Sequence, residues 1–149
     1  RLLRRCQQLP GQPLFQYIDA DGGQQPIESG MVNDYLHQVM GEVFTAKDFR
    51  TWGSTALALA ALAHTPLPEE REERSFATPL AAVVKDVACV LGNTPAICRK
   101  SYIDPVVFDA WREGYLERNI ATDVAAHPRK LETSLLRVLR RSRRSRLSN

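Results

Sequence analysis

The chain has 149 residues, 44% hydrophobic and 25% charged, the make-up of one globular domain large enough to bury a core without staples. Its longest apolar run, Ala56 to Ala63, is about half of the ~18 residues a membrane helix needs, and no charged-then-apolar signal segment opens the chain. Three cysteines, Cys6, Cys89 and Cys98, in an odd count without CxxC spacing, argue against a disulfide framework and a zinc site, and the net charge of +3 is lopsided: residues 137–149 hold six Arg and no acid, which leaves −3 on residues 1–136. A cytoplasmic protein with reduced thiols is the default expectation. Residue 1 is Arg and Arg1-Leu-Leu-Arg-Arg5 reads as the inside of a helix, so the chain is expected to be cut from something longer.

Residues 1–8 read as a helix end, broken by Leu9-Pro-Gly-Gln-Pro13. Leu14-Phe-Gln-Tyr-Ile18 alternates like a strand, Asp21-Gly22 signals a hairpin, and Gln25-Pro-Ile27 is a short return strand weakened by its proline. Ser29 is the expected N-cap of a helix from Gly30 to about Met40, closed by Gly41, with Val32, Tyr35, Leu36, Val39 and Met40 at helical spacing. Thr45-Ala-Lys-Asp48 resembles a capping box with a shortened acid and opens a helix from Ala46 to about His64, ended by Pro66 and Pro68. The charge run Glu69 to Arg74 is a solvated loop or a helix start. Thr78-Pro79 is the cap-plus-proline start of a helix to about Leu91, stopped by Gly92. Asn93-Thr94-Pro95 starts a short helix to about Ser101, Asp104-Pro105 another to about Leu116, and His127-Pro128 the last. The fold class is therefore mainly α with one small β-hairpin near the N-terminus.

Two places carry chemistry. From Phe49 to Ala63 the helix is apolar nearly all round and Arg50 is its only charge. A buried unpaired guanidinium costs several kcal/mol, so Arg50 pairs with an acid of the domain, reaches water at the helix start, or meets a ligand anion whose shape suits its planar fork. In Leu91-Gly-Asn-Thr-Pro-Ala-Ile-Cys-Arg-Lys-Ser-Tyr102 a stop, a turn and a new helix start put N–H groups near Thr94 to Ala96, and Arg99 and Lys100 precede Tyr102. A free phenol with a pKa of about 10 is ionised to only about one part in a thousand at pH 7, and neighbouring cations are one way to activate it. The plain alternative is an amphipathic tyrosine between turn and core. His37, His64 and His127 have no metal-ligand spacing and read as structural or surface residues, while Trp52 and Trp111 sit at helical core positions.

Lys47-Asp-Phe-Arg-Thr-Trp52 together with Leu91-Gly-Asn-Thr-Pro-Ala-Ile-Cys-Arg-Lys-Ser-Tyr-Ile-Asp-Pro105 resembles the catalytic domain of bacterial, poxvirus-like type IB DNA topoisomerases. Leu9-Pro-Gly-Gln-Pro-Leu-Phe-Gln-Tyr17 is similar to the segment that follows the catalytic hairpin in that family, so the resemblance spans about residues 1–118. It implies the helical catalytic fold shared by type IB topoisomerases and tyrosine recombinases. Tyr102 matches the nucleophile, which attacks a backbone phosphate and forms a 3′-phosphotyrosyl link with loss of a 5′-hydroxyl. Arg50 matches the second active-site arginine, on the non-bridging oxygens of the scissile phosphate. Asn93 matches a position held by His in many relatives, a hydrogen-bond donor to a non-bridging oxygen; one donor aimed at developing charge is worth roughly 2.7–4 kcal/mol. Lys47, Arg99 and Lys100 would contact DNA phosphates. The implied partner is double-stranded DNA, with no membrane, no metal and no cofactor, since the cations are side chains and the phosphotyrosyl bond conserves the energy for rejoining without ATP. A monomer at the nucleoid is implied.

The family's earlier Arg and its general-acid Lys on a β-hairpin have no match in this chain, and neither does its DNA-clamping domain. Residues 1–118 are thus expected to be a partial catalytic domain and residues 119–149 a C-terminal linker and basic helix or tail. The chain alone is expected to relax DNA poorly or not at all. In the last helix Arg137, Arg140, Arg141 and Arg144 form a basic stripe opposite Leu131, Leu135, Val138 and Leu139, either a solvated face or a non-specific phosphate contact that fades with salt. A tyrosine recombinase is the near alternative, but it prefers His-x-Leu-Arg-His where Lys47 to Thr51 stand and Leu-Gly-His where Leu91-Gly-Asn93 stands. A helical DNA-binding module without chemistry would keep the basic helix and have no use for Tyr102.

Overall fold

The computed structural model describes residues 15–147. The expected helix end at 1–8, its Leu9 to Pro13 break, the first residue of the Leu14–Ile18 strand and Cys6 lie outside the described residues. The chain divides into two compact units, Arg1–Asp48 and Phe49–Asn149.

In the first unit β1 (Gln16–Ile18) and β2 (Gln24–Pro26) pair antiparallel, Tyr17 opposite Gln25. Asp19 builds the turn. Its carboxylate accepts the N–H groups of Asp21 at 3.1 Å and Gly23 at 2.7 Å and the side-chain amide of Gln25 at 3.0 Å. These bonds, that of Gln25 foremost, hold the carboxyl below its usual range. Gly22 takes φ +80°, the left-handed region its lack of a Cβ allows. Helix α1 (Ser29–Met40) ends on Gly41 as expected, but Ser29 lies inside it; the N-cap is Glu28, whose side chain makes no cap bond. No residue of α1 is buried, and Met31, Val32, Tyr35, Val39 and Met40 are exposed.

Helix α2 (Ala46–His64) opens with the expected box in modified form. One oxygen of Asp48 accepts both the N–H and the hydroxyl of Thr45, at 2.8 and 2.6 Å. The shorter acid reaches back to the N-cap, as Glu does in a full box, and the two bonds hold Asp48 below the usual carboxylate range.

The second unit is built on one apolar core. Helix α2 contributes Ala58, Leu59 and Leu62; α3 (Glu73–Leu91) contributes Leu80, Val84 and Val87; α5 (Val106–Arg112) contributes Val107 and Trp111; α7 (Pro128–Leu147) contributes Leu135 and Val138. Ile120, Val124, Leu135 and Val138 belong to the same core cluster as the residues before them. Between these lie α4 (Pro95–Ser101), α6 (Tyr115–Asn119) and a short 3₁₀ turn at Thr122–Ala126.

Three expectations are corrected. Helix α3 begins at Glu73, and Pro79 lies inside it instead of opening it. The proline forfeits one backbone bond, but the extra turns bury Phe76, which meets Trp111 edge-to-face at 5.6 Å; burying a Phe is worth about 1.5–3 kcal/mol. The helix from Asp104-Pro105 does not run on to Leu116: it stops after Arg112, and Gly114 turns the chain at φ +69°. Trp111 and Leu116 are both fully buried, and a straight helix would set them about 140° apart. Trp52 is 37% exposed and so is not a core residue, whereas Trp111 is 1% exposed with its indole N–H bonded to the Thr65 carbonyl at 2.9 Å. Among the described residues, no single helix is long and apolar enough to cross a membrane.

Candidate active site

The end of α3 sets the geometry. Gly92 adopts the left-handed conformation at φ +68°. Its N–H bonds the carbonyl of Cys89 and that of Asn93 bonds the carbonyl of Ala88, at 3.3 and 3.0 Å. This is the paired closure of a Schellman motif, which a Cβ at Gly92 would strain. The motif leaves the Leu91 carbonyl unspent, and Nη2 of Arg50 donates to it at 3.2 Å. A cation at the carbonyl end of a helix is favourably placed.

Arg50 is exposed in the second turn of α2. Among the described residues no carboxylate pairs with it, which removes the domain-acid option left open by its sequence. Its guanidinium carbon stands 5.0 Å from the centroid of the Tyr102 ring. One of its five N–H donors is spent on Leu91, and the rest of the fork has no hydrogen-bonded acceptor among the described residues. Cys98 lies fully buried beside this charge; burial pushes its thiol up, and Arg50 works in the opposite direction.

Asn93 follows the turn. Its side-chain Nδ2 is shielded from water and has no hydrogen-bond partner. An unmet amide donor costs about 1–3 kcal/mol, so this group is stored unsatisfied two residues from the carbonyl that anchors Arg50. Helix α4 starts at Pro95 behind Thr94, whose hydroxyl accepts the N–H of Ile97 at 3.3 Å. The chain's own cap thus takes the N–H of Ile97, the residue after the expected cluster at Thr94 to Ala96.

Tyr102 is half-buried at the C-cap of α4, its N–H on the Cys98 carbonyl at 3.0 Å. A residue that sequence reasoning missed holds it. Thr55, 3% exposed on α2, accepts the N–H of Asp104 at 3.1 Å. Its hydroxyl proton faces the Thr51 carbonyl at 2.7 Å and the Tyr102 carbonyl at 3.4 Å. One side chain thus clamps the backbone on both sides of Ile103 to the helix that carries Arg50. The signal was present: a Ser54-Thr55 pair in an otherwise apolar helix must spend its hydroxyls somewhere.

The other candidates are not all gathered here. Arg99 turns to the Phe108 ring, 5.8 Å from its centroid. Lys100 is exposed in the last turn of α4. Lys47 belongs to the first unit, exposed at the start of α2, where its charge adds to the lowering of Asp48. The structure thus brings Arg50 and Tyr102 together and sets Asn93 beside the carbonyl that holds Arg50. Chemically this is a phenol next to a forked cation with spare donors, and close by an amide donor awaiting an acceptor. Such a set suits attack on a centre that gathers negative charge on its oxygens.

Residues 1–114 match the family described as eukaryotic DNA topoisomerase I, catalytic core. Over 106 residues the chain is 32% identical to DNA topoisomerase 1B of Acanthamoeba polyphaga mimivirus, an alignment covering 68% of this chain and 32% of that protein. The chain spans about a third of the length of the relative it matches.

Proposed function

Since the chain belongs to the type IB DNA topoisomerase I catalytic-core family, we propose that it supplies Tyr102 as the nucleophile with which one strand of duplex DNA is broken and rejoined. The phenolic oxygen attacks a backbone phosphorus, the phenol gives up its proton, and the bond to the 5′-oxygen breaks. The products are a 3′-phosphotyrosyl link and a 5′-hydroxyl once the leaving oxygen takes a proton. The reverse attack by that hydroxyl restores the strand and frees Tyr102, and rotation between the two steps relaxes supercoils without ATP.

In this reading Arg50 holds two non-bridging oxygens with its planar fork, and Asn93 donates its unmet N–H to one of them. Both bonds strengthen as the five-coordinate phosphorus gathers charge, so both act on the transition state more than on bound DNA. Thr55 keeps the Tyr102 segment in register with Arg50. Lys47, Arg99 and Lys100 serve as contacts to neighbouring phosphates. The reading carries with it a likeness to the bacterial, poxvirus-like branch, action as a monomer at the nucleoid, and charge neutralisation by side chains alone.

The observation that carries the proposal is the guanidinium of Arg50 at 5.0 Å from the Tyr102 ring, with no acid to neutralise it among the described residues. The test uses the protein at its full natural length and a nicked suicide duplex whose short downstream fragment, bearing the new 5′-hydroxyl, diffuses away. A DNA adduct that survives denaturation is expected with wild type and absent with Tyr102→Phe. An adduct that persists in Tyr102→Phe would remove Tyr102 from the mechanism.

A further inference from the structure

In the second unit a cavity of about 400 Å³ opens between the segment Asn119–Val124 and the first half of α7. Its wall on α7 is Arg129, Lys130, Thr133, Ser134 and Arg137, residues that share one face of the helix at steps of four. None of the groups placed at the catalytic centre lines it.

Three features are unusual together. Arg129 and Lys130 sit in the first turn of α7, which holds no acid. Cations at that end oppose the helix dipole, and an anion laid against them reverses the sign of the interaction. Arg129 and Arg137 have no carboxylate partner among the described residues, and Lys130 is only loosely paired with Asp123 at 3.8 Å. Finally, Ser134 is 8% exposed and lines the cavity, yet its hydroxyl makes no hydrogen bond among the described residues. A helical serine commonly returns its proton to the carbonyl four residues back, as Thr133 does to Arg129 at 2.8 Å. Ser134 does not.

We propose that this cavity binds a phosphate group, with Arg129 and Arg137 supplying charge and planar donors and the Ser134 hydroxyl donating from the floor. The size admits a phosphate or pyrophosphate, and forked cations with a neutral donor form the chemistry that recognises one. The group comes either from a DNA backbone lying across α7 or from a free phosphate compound. The site is independent of strand cleavage, so Tyr102→Phe should leave it intact.

The test again takes the full natural-length protein. Inorganic phosphate and pyrophosphate are titrated by calorimetry, and a 20-base-pair duplex is titrated over a salt series. The variants are Arg129→Gln with Arg137→Gln, and Ser134→Ala; the control is Arg143→Gln with Arg146→Gln, elsewhere on α7. For a free phosphate, saturable binding is expected in wild type and control, weakened at least tenfold by the double arginine variant and several-fold by Ser134→Ala. For a backbone phosphate, the slope of log K against log salt is expected to fall by about one per arginine removed. Affinity should then also drop in Ser134→Ala, a change that removes no charge. If the control loses as much as the cavity variants on either ligand, or if Ser134→Ala changes neither titration, the cavity is only part of a general basic surface and the proposal fails.

Discussion

Asn93 has opposite effects on stability and on catalysis, and so separates the two. Its Nδ2 is buried without a partner, so Asn93→Ala removes an unmet donor and should leave the melting temperature unchanged or raised. The same change should slow single-turnover cleavage about 10²- to 10³-fold, the loss of roughly 2.7–4 kcal/mol of transition-state stabilisation. A lower melting temperature with normal cleavage would return Asn93 to a structural role. Thr55 should behave differently. Thr55→Val keeps the shape but leaves the Asp104 N–H unmet, at a cost of about 1–3 kcal/mol. Its cleavage defect should appear in the rate of the chemical step rather than in DNA affinity, and Thr55→Ser should rescue it. Rescue of stability without rescue of rate would detach Thr55 from Tyr102.

At the scale of elements, the turn after α3 is where fold and chemistry share one residue. Gly92→Ala puts a Cβ into a left-handed position, at a cost of about 1–2 kcal/mol, and displaces both the Leu91 carbonyl and Asn93. Gly53→Ala lies on α2 with nothing within 4 Å of the new Cβ and should stabilise by about 0.5–1 kcal/mol. Thermal melts check both signs, and equal effects would contradict the assigned conformations. The elements readable from sequence are those fixed locally. The Asp21-Gly22 turn, the Thr45–Asp48 cap, the Gly41 and Gly92 stops and the Thr94-Pro95 start each rest on residues within a few positions of the bonds they make. Two of the misreadings have tertiary causes. Pro79 is tolerated because Phe76 gains Trp111; the break at Gly114 exists because Trp111 and Leu116 must both face one core. Thr55 was missed because its partners, Tyr102 and Asp104, are 47 and 49 residues away.

For the whole molecule, the uneven charge now has a structural counterpart. Residues 1–136 sum to −3, yet Arg50, Arg99 and Lys100 stand on or beside the two helices that bring Arg50 to Tyr102. The basic stripe of the last helix is partly engaged within the protein. Arg141 bonds Glu113 at 2.6 Å and lies over the Tyr115 ring at 4.8 Å. Arg129 and Arg137 are exposed and have no carboxylate partner among the described residues. Of the candidate site, the residue types and their order were legible from the matched segments, because nucleophile and ligands lie in short runs. Their mutual placement was not, because it depends on how α2, the end of α3 and α4 meet.

Mapping the adduct decides whether Tyr102 is the group joined to DNA. The full natural-length protein is trapped on a nicked suicide duplex, digested with trypsin and nuclease, and analysed by mass spectrometry. A nucleotide is expected on the peptide running from Ser101 to Arg112, attached at Tyr102 through a 3′-phosphate, with the released strand beginning in a 5′-hydroxyl. A nucleotide on a peptide bearing any other tyrosine, such as Tyr115, or a linkage through a 5′-phosphate, would contradict that assignment.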